Sequence, residues 1–159
     1  MMQSTRKVRD EDLEHVLALA KKIGIFTASE VGIVKDLLEG ELKNSGQNDY
    51  HSLAFEESGQ VVGFACYGPA PGTDGTYDLY WLFVDPEHQR RGVGGTLLGE
   101  VERAIRCAKG RMLMADTSSR RSYLPARRFY QSHGFRKVAE VKDYYCPGDS
   151  RLTYVKQFS

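Results

Sequence analysis

Cysteine, net charge and long apolar runs are all scarce in this sequence of 159 residues. Its three cysteines are widely spaced and form no C-x-x-C pair, which argues against a disulfide framework and against a zinc site. The formal net charge is only +1, so no field of the whole protein attracts nucleic acid. No run approaches the roughly 18 apolar residues of a membrane span, and the first residues carry no apolar signal segment. We expect a cytoplasmic protein with no metal, nucleic acid or membrane partner.

The remaining composition is that of an ordinary globular chain, with 41% hydrophobic and 27% charged residues. Neither an internal repeat nor a low-complexity tract interrupts it. Its length is about that of one domain, and such a chain buries roughly two thirds of the surface of its unfolded state. We therefore expect residues 1–159 to form a single domain.

The first half of the chain predicts one strand, two helices and three further strands. A strand at residues 6–9 precedes Asp10, which we expect to be a helix N-cap because apolar residues follow at helical spacing. A second helix is predicted over residues 29–43 and ends at the stretch NSGQND. HSLAFEE and QVVGFACYG form a hairpin through Ser58 and Gly59, and TYDLYWLFVD is a third β-prone run.

The second half alternates helices and strands. A helix from Val93 to about Lys109 is followed by the strand RMLMADT, the helix LPARRFYQSHG, and the strands FRKVAEV and RLTYVKQF. Cys107 lies on the first of these helices and reads as a core residue. The element order β-α-α-β-β-β-α-β-α-β-β predicts a mixed sheet with helices on its faces, in a fold of the α/β or α+β class.

One glycine-rich stretch, DPEHQRRGVGGTLL at residues 85–98, lies between a strand and a helix. Glycine allows backbone amides to converge on an anion, and a helix N-terminus adds its dipole at the same point. A Walker loop is excluded because no lysine follows Gly94 or Gly95. A dinucleotide fingerprint beginning at Gly92 would have Leu97 at its third glycine position. The stretch therefore suits another phosphate carrier better than these two nucleotide motifs.

A third pattern, Gln/Arg-x-x-Gly-x-Gly/Ala, matches Gln89-Arg90-Arg91-Gly92-Val93-Gly94 directly after LFVDP. About forty residues later, ARRFYQSHGF matches an A-x-x-x-Y-x-x-x-G-F block at Ala126, Tyr130, Gly134 and Phe135. Together these motifs resemble the GNAT superfamily of acetyl-coenzyme A-dependent N-acetyltransferases. The resemblance implies a twisted, mixed and mostly antiparallel sheet of about six or seven strands, flanked by about four helices, with strands splayed at the cofactor cleft.

The resemblance also implies which residues bind acetyl-coenzyme A. The backbone of Leu82, Phe83 and Val84 would bond the pantetheine arm as a missing strand does. Amides of the glycine-rich stretch would bind the pyrophosphate, and Arg90, Arg91 or Arg127 would reach the ribose phosphate. Tyr123 stands where many members have an asparagine that touches the cofactor arm. The implied contacts in the stretch are Gln89, Arg90, Arg91, Gly92, Val93, Gly94, Gly95 and Thr96.

In the chemistry that the resemblance implies, an amine attacks the thioester directly in a ternary complex. Tyr130 falls on the motif's tyrosine and would act as the acid near the sulfur. Asp78 aligns with a strand glutamate that some members use as a base, and Asp116 lies where others place a glutamate. Both are one methylene shorter than glutamate and would act more naturally through water.

The acceptor, meaning the amine that receives the acetyl group, would be a small molecule or a peptide N-terminus. The resemblance places it at the segments GIFTASEVG and KDYYCPGDS, where Tyr144 and Tyr145 resemble paired tyrosines of the peptide N-terminal branch. A homodimer is common in such folds. The alternative hypothesis is a non-catalytic module of the same fold that binds acyl-coenzyme A in a regulatory role.

Overall fold

The predicted order of strands and helices is present in a computed structural model, which describes residues 2–44 and 49–158. Within these ranges the helices are α1 (Leu13–Ile23), α2 (Ala28–Lys43), α3 (Val93–Cys107) and α4 (Leu124–Ser132). The strands are β1 (Gln3–Lys7), β2 (His51–Glu57), β3 (Gln60–Pro69), β4 (Thr76–Val84), β5 (Met112–Ser118), β6 (Arg136–Cys146) and β7 (Asp149–Gln157). Most of the predicted NSGQND break, residues 45–48, lies outside the described residues.

The seven strands are hydrogen-bonded in the order β1-β2-β3-β4-β5-β7-β6. Pairs β1–β2, β2–β3, β5–β7 and β6–β7 are antiparallel, whereas β4 and β5 run parallel. The predicted class, a mixed and mostly antiparallel sheet with four helices, is therefore confirmed. Ser58 and Gly59 both have positive φ, 50° and 81°, which is the type I′ geometry that suits a two-residue hairpin between β2 and β3.

The backbone forms two compact units, and β4 contributes to both. The first unit comprises the chain up to Gly68 together with Trp81–Ala104. Its core is apolar: α1 contributes Val16 and Leu19, α2 contributes Val34 and Leu38, and Phe64 of β3 is fully buried. Each such side chain contributes about 1.5–3 kcal/mol when it is removed from water.

The second unit comprises Pro69–Tyr80 and the chain from Ile105 onward. Its core contains Ile105, Leu113, Phe135 and Tyr154, all of them buried. In contrast, every residue of β6 is exposed, because β6 forms one edge of the strand order. The single-domain organisation of residues 1–159 stays a prediction.

Several local predictions need correction. Asp10 is not a helix N-cap, because Asp10–Asp12 form a short 3-10 turn and α1 begins at Leu13 with Asp12 at its N-cap. The first strand begins at Gln3 rather than at residue 6, because all five residues of β1 pair with β2, from Gln3 with Glu57 to Lys7 with Leu53. Cys107 is exposed rather than in the core, since it is the last residue of α3.

Two kinds of feature are missing from the described ranges. None of the helices in residues 2–44 and 49–158 is long and apolar enough to cross a membrane. In the same ranges, no group of three or more histidine, cysteine, aspartate or glutamate side chains is placed to hold a metal ion.

Candidate active site

The glycine-rich stretch connects β4 to α3 in the first unit. Asp85 follows β4 directly and caps a 3-10 turn over Pro86–His88, where its Oδ1 accepts from the backbone N–H of Glu87 at 2.9 Å. The backbone then takes left-handed conformations at Arg90 (φ +65°) and Gly92 (φ +81°). A non-glycine residue adopts a positive φ only at a cost, so Arg90 marks a backbone held in place by its surroundings.

The start of α3 presents backbone donors. The N–H of Thr96 bonds the carbonyl of Gly92 at 2.9 Å, one helical turn back. The N–H groups of Val93, Gly94 and Gly95 precede that bond and have no helical acceptor. Because α3 has 15 residues, its dipole concentrates partial positive charge at the same point. The arrangement is suited to an anion such as a pyrophosphate.

A carboxylate network fixes the loop before α3 to the strands behind it. Glu57, at the end of β2, is only 5% exposed. Its Oε2 lies 3.0 Å from His88 Nε2 and 3.7 Å from Arg91 Nη1, while its Oε1 accepts from Gln3 Nε2 at 2.7 Å. A buried carboxylate needs such partners. The network therefore ties His88 and Arg91, which flank Gln89 and Arg90 in the sequence, to the end of β2.

A second contact fixes the same loop to α1. Lys22 Nζ lies 3.0 Å from Asp85 Oδ2 and 2.7 Å from Glu87 Oε2. Burial by itself raises the pKa of Asp85, but the hydrogen bond from Glu87 N–H and the charge of Lys22 outweigh it, and the pKa is lowered. Asp85 is consequently an anion at neutral pH. Its carboxylate caps the 3-10 turn and pairs with Lys22, so it joins the loop to α1.

The predicted cofactor residues of β4 and the loop differ in what their side chains do. Phe83 is buried, with its ring 5.5 Å from Phe26 and 5.2 Å from Phe64, so that only its backbone is available to a ligand. Val93 is buried likewise. Gln89 Nε2 donates to the carbonyl of Val84 at 3.3 Å. Leu82, Val84, Gly94 and Gly95 are half-buried, and Arg90, Gly92 and Thr96 are exposed.

In the second unit, the ladder between β4 and β5 is short. It joins Thr76 with Met112, Tyr77 with Leu113 and Asp78 with Met114, and both strands continue beyond it. This interruption is what the predicted splay of strands requires. Side chains of paired and alternate residues share a face of a sheet, so Asp78 and Asp116 lie on the same face.

The two carboxylates differ in environment. Burial raises the pKa of Asp78, and the nearby charge of Asp116 raises it further. Asp116 is exposed, and its Oδ1 accepts from Thr153 Oγ1 at 2.6 Å. Two carboxylates of like charge in one site disfavour each other's ionisation. The pKa of Asp78 is therefore raised by burial and by the like charge beside it.

Tyr130 lies on α4 and is 8% exposed. Its ring packs 5.3 Å from that of Phe135 and 5.9 Å from that of Tyr154. Burial raises the pKa of Tyr130 to about 12, and the charge of Asp116 contributes in the same direction. The hydroxyl thus stays protonated at neutral pH, and it senses the same carboxylate as Asp78 does.

Two other predicted cofactor residues flank the start of α4. Arg127 Nη1 donates to the carbonyls of Ser118 and Arg120 at 2.7 and 2.8 Å, and so fastens the connection between β5 and α4. Tyr123 is the N-cap of α4, with the guanidinium of Arg120 5.3 Å above its ring. A contact of Arg127 with a ribose phosphate would require it to release these two carbonyls.

The segments predicted to receive the acceptor lie one in each unit. In the first unit, Phe26 packs edge-on to Trp81 at 5.4 Å. Thr27 and Glu30 form a capping box that begins α2, so the side chain of Glu30 already serves the helix. In the second unit, Tyr144 and Tyr145 are about half exposed on β6, with rings perpendicular at 5.0 Å.

Sequence reasoning missed the polar contacts of β7. Thr153 bonds Asp116 across 37 positions of sequence, and Ser118 donates a short hydrogen bond to Asp149 across 31. Arg120 Nε lies 3.1 Å from Asp149 Oδ2. No spacing pattern in the sequence predicts these pairs, because they depend on the register between β5 and β7.

Comparison with known proteins identifies the family. The model of the acetyltransferase (GNAT) domain matches residues 48–137, more than half of the chain. The chain belongs to the GNAT acetyltransferase family. It is accordingly an acyltransferase, and the resemblance stated from the two motifs is confirmed.

Solved structures agree with this assignment. A protein from Desulfovibrio desulfuricans assigned to the GNAT family is 38% identical, with a TM-score of 0.94 over 98% of this chain and 99% of that one. The ribosomal-protein-S18-alanine N-acetyltransferase from Escherichia coli shares the fold at 19% identity, with a TM-score of 0.78 over 99% of this chain and 95% of that one. The PaiA N-acetyltransferase from Thermoplasma acidophilum, solved with coenzyme A, is 23% identical and has a TM-score of 0.77 over 99% and 100% of the two chains. A search of curated proteins finds no match.

Proposed function

We propose that this GNAT member transfers the acetyl group of acetyl-coenzyme A to a primary amine of a small molecule or a peptide N-terminus. The observation that carries the proposal is the start of α3, where three backbone N–H groups without helical acceptors follow two residues of positive φ. That arrangement fits the pyrophosphate of coenzyme A. The same donor is supported by the solved complex of the Thermoplasma protein with coenzyme A.

Residues of the first unit would hold the donor. The amides of residues 90–95 would bind the pyrophosphate, and the exposed side chain of Arg90 or Arg91 would reach the ribose phosphate. The backbone of residues 82–84 would pair with the pantetheine arm. When bound, acetyl-coenzyme A supplies an activated acyl group on a thioester.

Residues of the second unit would remove the proton from the amine and donate a hydrogen bond to the leaving sulfur. An alkyl amine is mostly an ammonium ion at neutral pH, so a proton must leave before attack. Asp78 is the better candidate for the base because burial and the charge of Asp116 raise its pKa, whereas Asp116 already accepts a hydrogen bond from Thr153. A short aspartate reaches the amine through one water. Tyr130 would donate to the sulfur that leaves.

The acceptor would be an amine, as it is for the ribosomal-protein alanine acetyltransferase among the structural neighbours. The second unit carries the carboxylates of Asp78 and Asp116, which attract a cationic acceptor. We also propose that the chain forms a homodimer and that it is located in the cytoplasm.

The test is release of coenzyme A thiol from acetyl-coenzyme A with a panel of amines, measured against pH for the parent, Asp78→Asn and Asp116→Asn. We expect Asp78→Asn to lower kcat by about a hundredfold or more and to abolish the acidic limb of the kcat/KM profile. Asp116→Asn should keep that limb but move it to lower pH, because the charge that raises the pKa of Asp78 is gone.

Two outcomes would contradict the proposal. An acidic limb that survives in Asp78→Asn and vanishes in Asp116→Asn would make Asp116 the base. Coenzyme A binding by calorimetry, without turnover on any amine, would favour the non-catalytic module instead.

A further inference from the structure

Arg151 is a cationic residue of β7. Its guanidinium carbon lies 4.5 Å above the ring of Tyr144, and its Nε is buried without a hydrogen-bond partner. Within residues 2–44 and 49–158 it makes no ion pair. A buried N–H group without an acceptor destabilises the folded state. The unpaired Nε–H of Arg151 therefore points to a ligand that accepts a hydrogen bond from the guanidinium.

The neighbouring carboxylate cannot serve this purpose. Asp149, two residues before Arg151, is buried, with one oxygen on Ser118 and the other 3.1 Å from Arg120 Nε. Arg120 therefore neutralises Asp149. Among the described residues, the guanidinium of Arg151 therefore has the ring of Tyr144 on one side and no carboxylate within ion-pair distance.

The sheet places Arg151 beside the carboxylates of the proposed reaction. Thr153 pairs with Asp116 in the ladder between β5 and β7 and donates to it. Arg151 lies two residues from Thr153 on the same strand, so their side chains share a face. It is thus a diagonal neighbour of Asp116, at about 7–8 Å between Cα atoms.

Tyr145 shows that the charges act at one place. The pKa of Tyr145 is raised to about 12: partial burial is the largest cause, the charge of Asp116 acts in the same direction, and the charge of Arg151 opposes both. One hydroxyl therefore senses the carboxylate and the guanidinium together. Tyr144 and Tyr145, 53% and 48% exposed, leave the cluster open to solvent.

We propose that Arg151 binds a carboxylate of the acceptor, so that the preferred acceptors are small amines that carry a carboxylate, as amino acids do. The inference rests on the proposed function and narrows it. A guanidinium forms paired hydrogen bonds with a planar carboxylate and keeps its stacking on an aromatic ring. Asp116 and Asp78 would face the amine end of the same molecule, and Arg151 its acid end.

The experiment compares amino carboxylic acids of increasing chain length with the corresponding amino amides, which have a similar shape but no negative charge at that group, each assayed at a pH above the pKa of its amine. With the parent enzyme, kcat/KM should favour the acid at one chain length by about ten- to a hundredfold. Arg151→Gln should remove this preference mainly through KM and leave the amides unchanged. Arg151→Lys, which keeps the charge, should retain part of it.

Arg136→Gln is the matched control, because it removes one exposed positive charge from the same hairpin, at the pair with Val155. It should leave the preference for acids as in the parent. Equal kcat/KM for acids and amides, or an equal loss of both in Arg151→Gln with the preference intact, would overturn the inference while leaving the proposed function standing.

A readout independent of turnover separates the two proposals. The Nε–H resonance of Arg151, assigned by its absence in Arg151→Gln, should shift when the preferred amino acid is added and stay unchanged with its amide. A shift without any acetyl transfer would support the carboxylate site and contradict the proposed function. No shift with any amino acid up to its solubility would overturn the site.

Discussion

Tyr130 combines a packed ring with a hydroxyl that burial keeps protonated. Its pKa is raised to about 12, whereas a free thiol titrates at about 8.5. A thiol is thus the stronger acid of the two, and complete proton transfer from Tyr130 to a leaving thiolate would be unfavourable. We infer that Tyr130 stabilises the leaving sulfur by donating a hydrogen bond to it, and that the proton comes to the sulfur from elsewhere.

Tyr130→Phe keeps the ring and its contacts with Phe135 and Tyr154 but removes the donor. We expect kcat to fall by about ten- to a hundredfold, the size of a hydrogen bond to a charged group. The dissociation constant for coenzyme A should change little. Steady-state kinetics and calorimetry check both quantities, and unchanged kcat would remove Tyr130 from the chemistry.

Residues differ in how far their roles can be predicted from sequence. Gly92 and Tyr130 stand in motifs whose spacing reflects local geometry, so the amino-acid sequence is enough to single them out. Arg151 and Thr153 carry no such signal. Their relation to Asp116 depends on which residue of β7 pairs with which residue of β5, and a shift of one residue would turn each side chain to the other face.

At the scale of elements, the position of α3 depends on a glycine in β3. A Cβ atom at Gly63 would come within 2.9 Å of Leu97 Cδ1 and 2.9 Å of Val93 Cγ1. Val93 begins α3, directly after Gly92, so the close approach of strand and helix sets where the proposed pyrophosphate donors stand. This contact lies wholly in the first unit.

Gly63→Ala should displace the start of α3, weaken coenzyme A binding and destabilise the fold by about 1–3 kcal/mol. Calorimetry and urea unfolding measure the two effects. Gly99→Ala is the control on the same helix, because a Cβ there meets nothing within 4 Å. It should bind coenzyme A normally and gain up to about 1 kcal/mol from better helix propensity. Normal coenzyme A binding by Gly63→Ala would show that the position of α3 is not set by this contact.

For the whole molecule, binding of coenzyme A should increase the free energy of unfolding. Coenzyme A at about a hundred times its dissociation constant should raise the free energy of unfolding by about 2.7 kcal/mol. For a chain of this length that is an increase in Tm of about 5–10 °C. Pantetheine, which lacks the pyrophosphate, should give a much smaller shift at the same concentration. Equal shifts would mean that the amides at the start of α3 do not bind the pyrophosphate.

The sequence alone determined the order of elements, the class of the sheet and the family, because these depend on periodicity and on motifs that are local in the chain. It singled out the loop proposed to bind coenzyme A for the same reason, since the glycines and the helix start are contiguous. It left open that the pKa of Asp78 is raised, that the Nε of Arg151 has no hydrogen-bond partner and that Glu57 and Lys22 fix the loop before α3. Those properties belong to pairs such as Glu57 with His88 or Asp116 with Thr153, which only the tertiary structure brings within hydrogen-bonding distance.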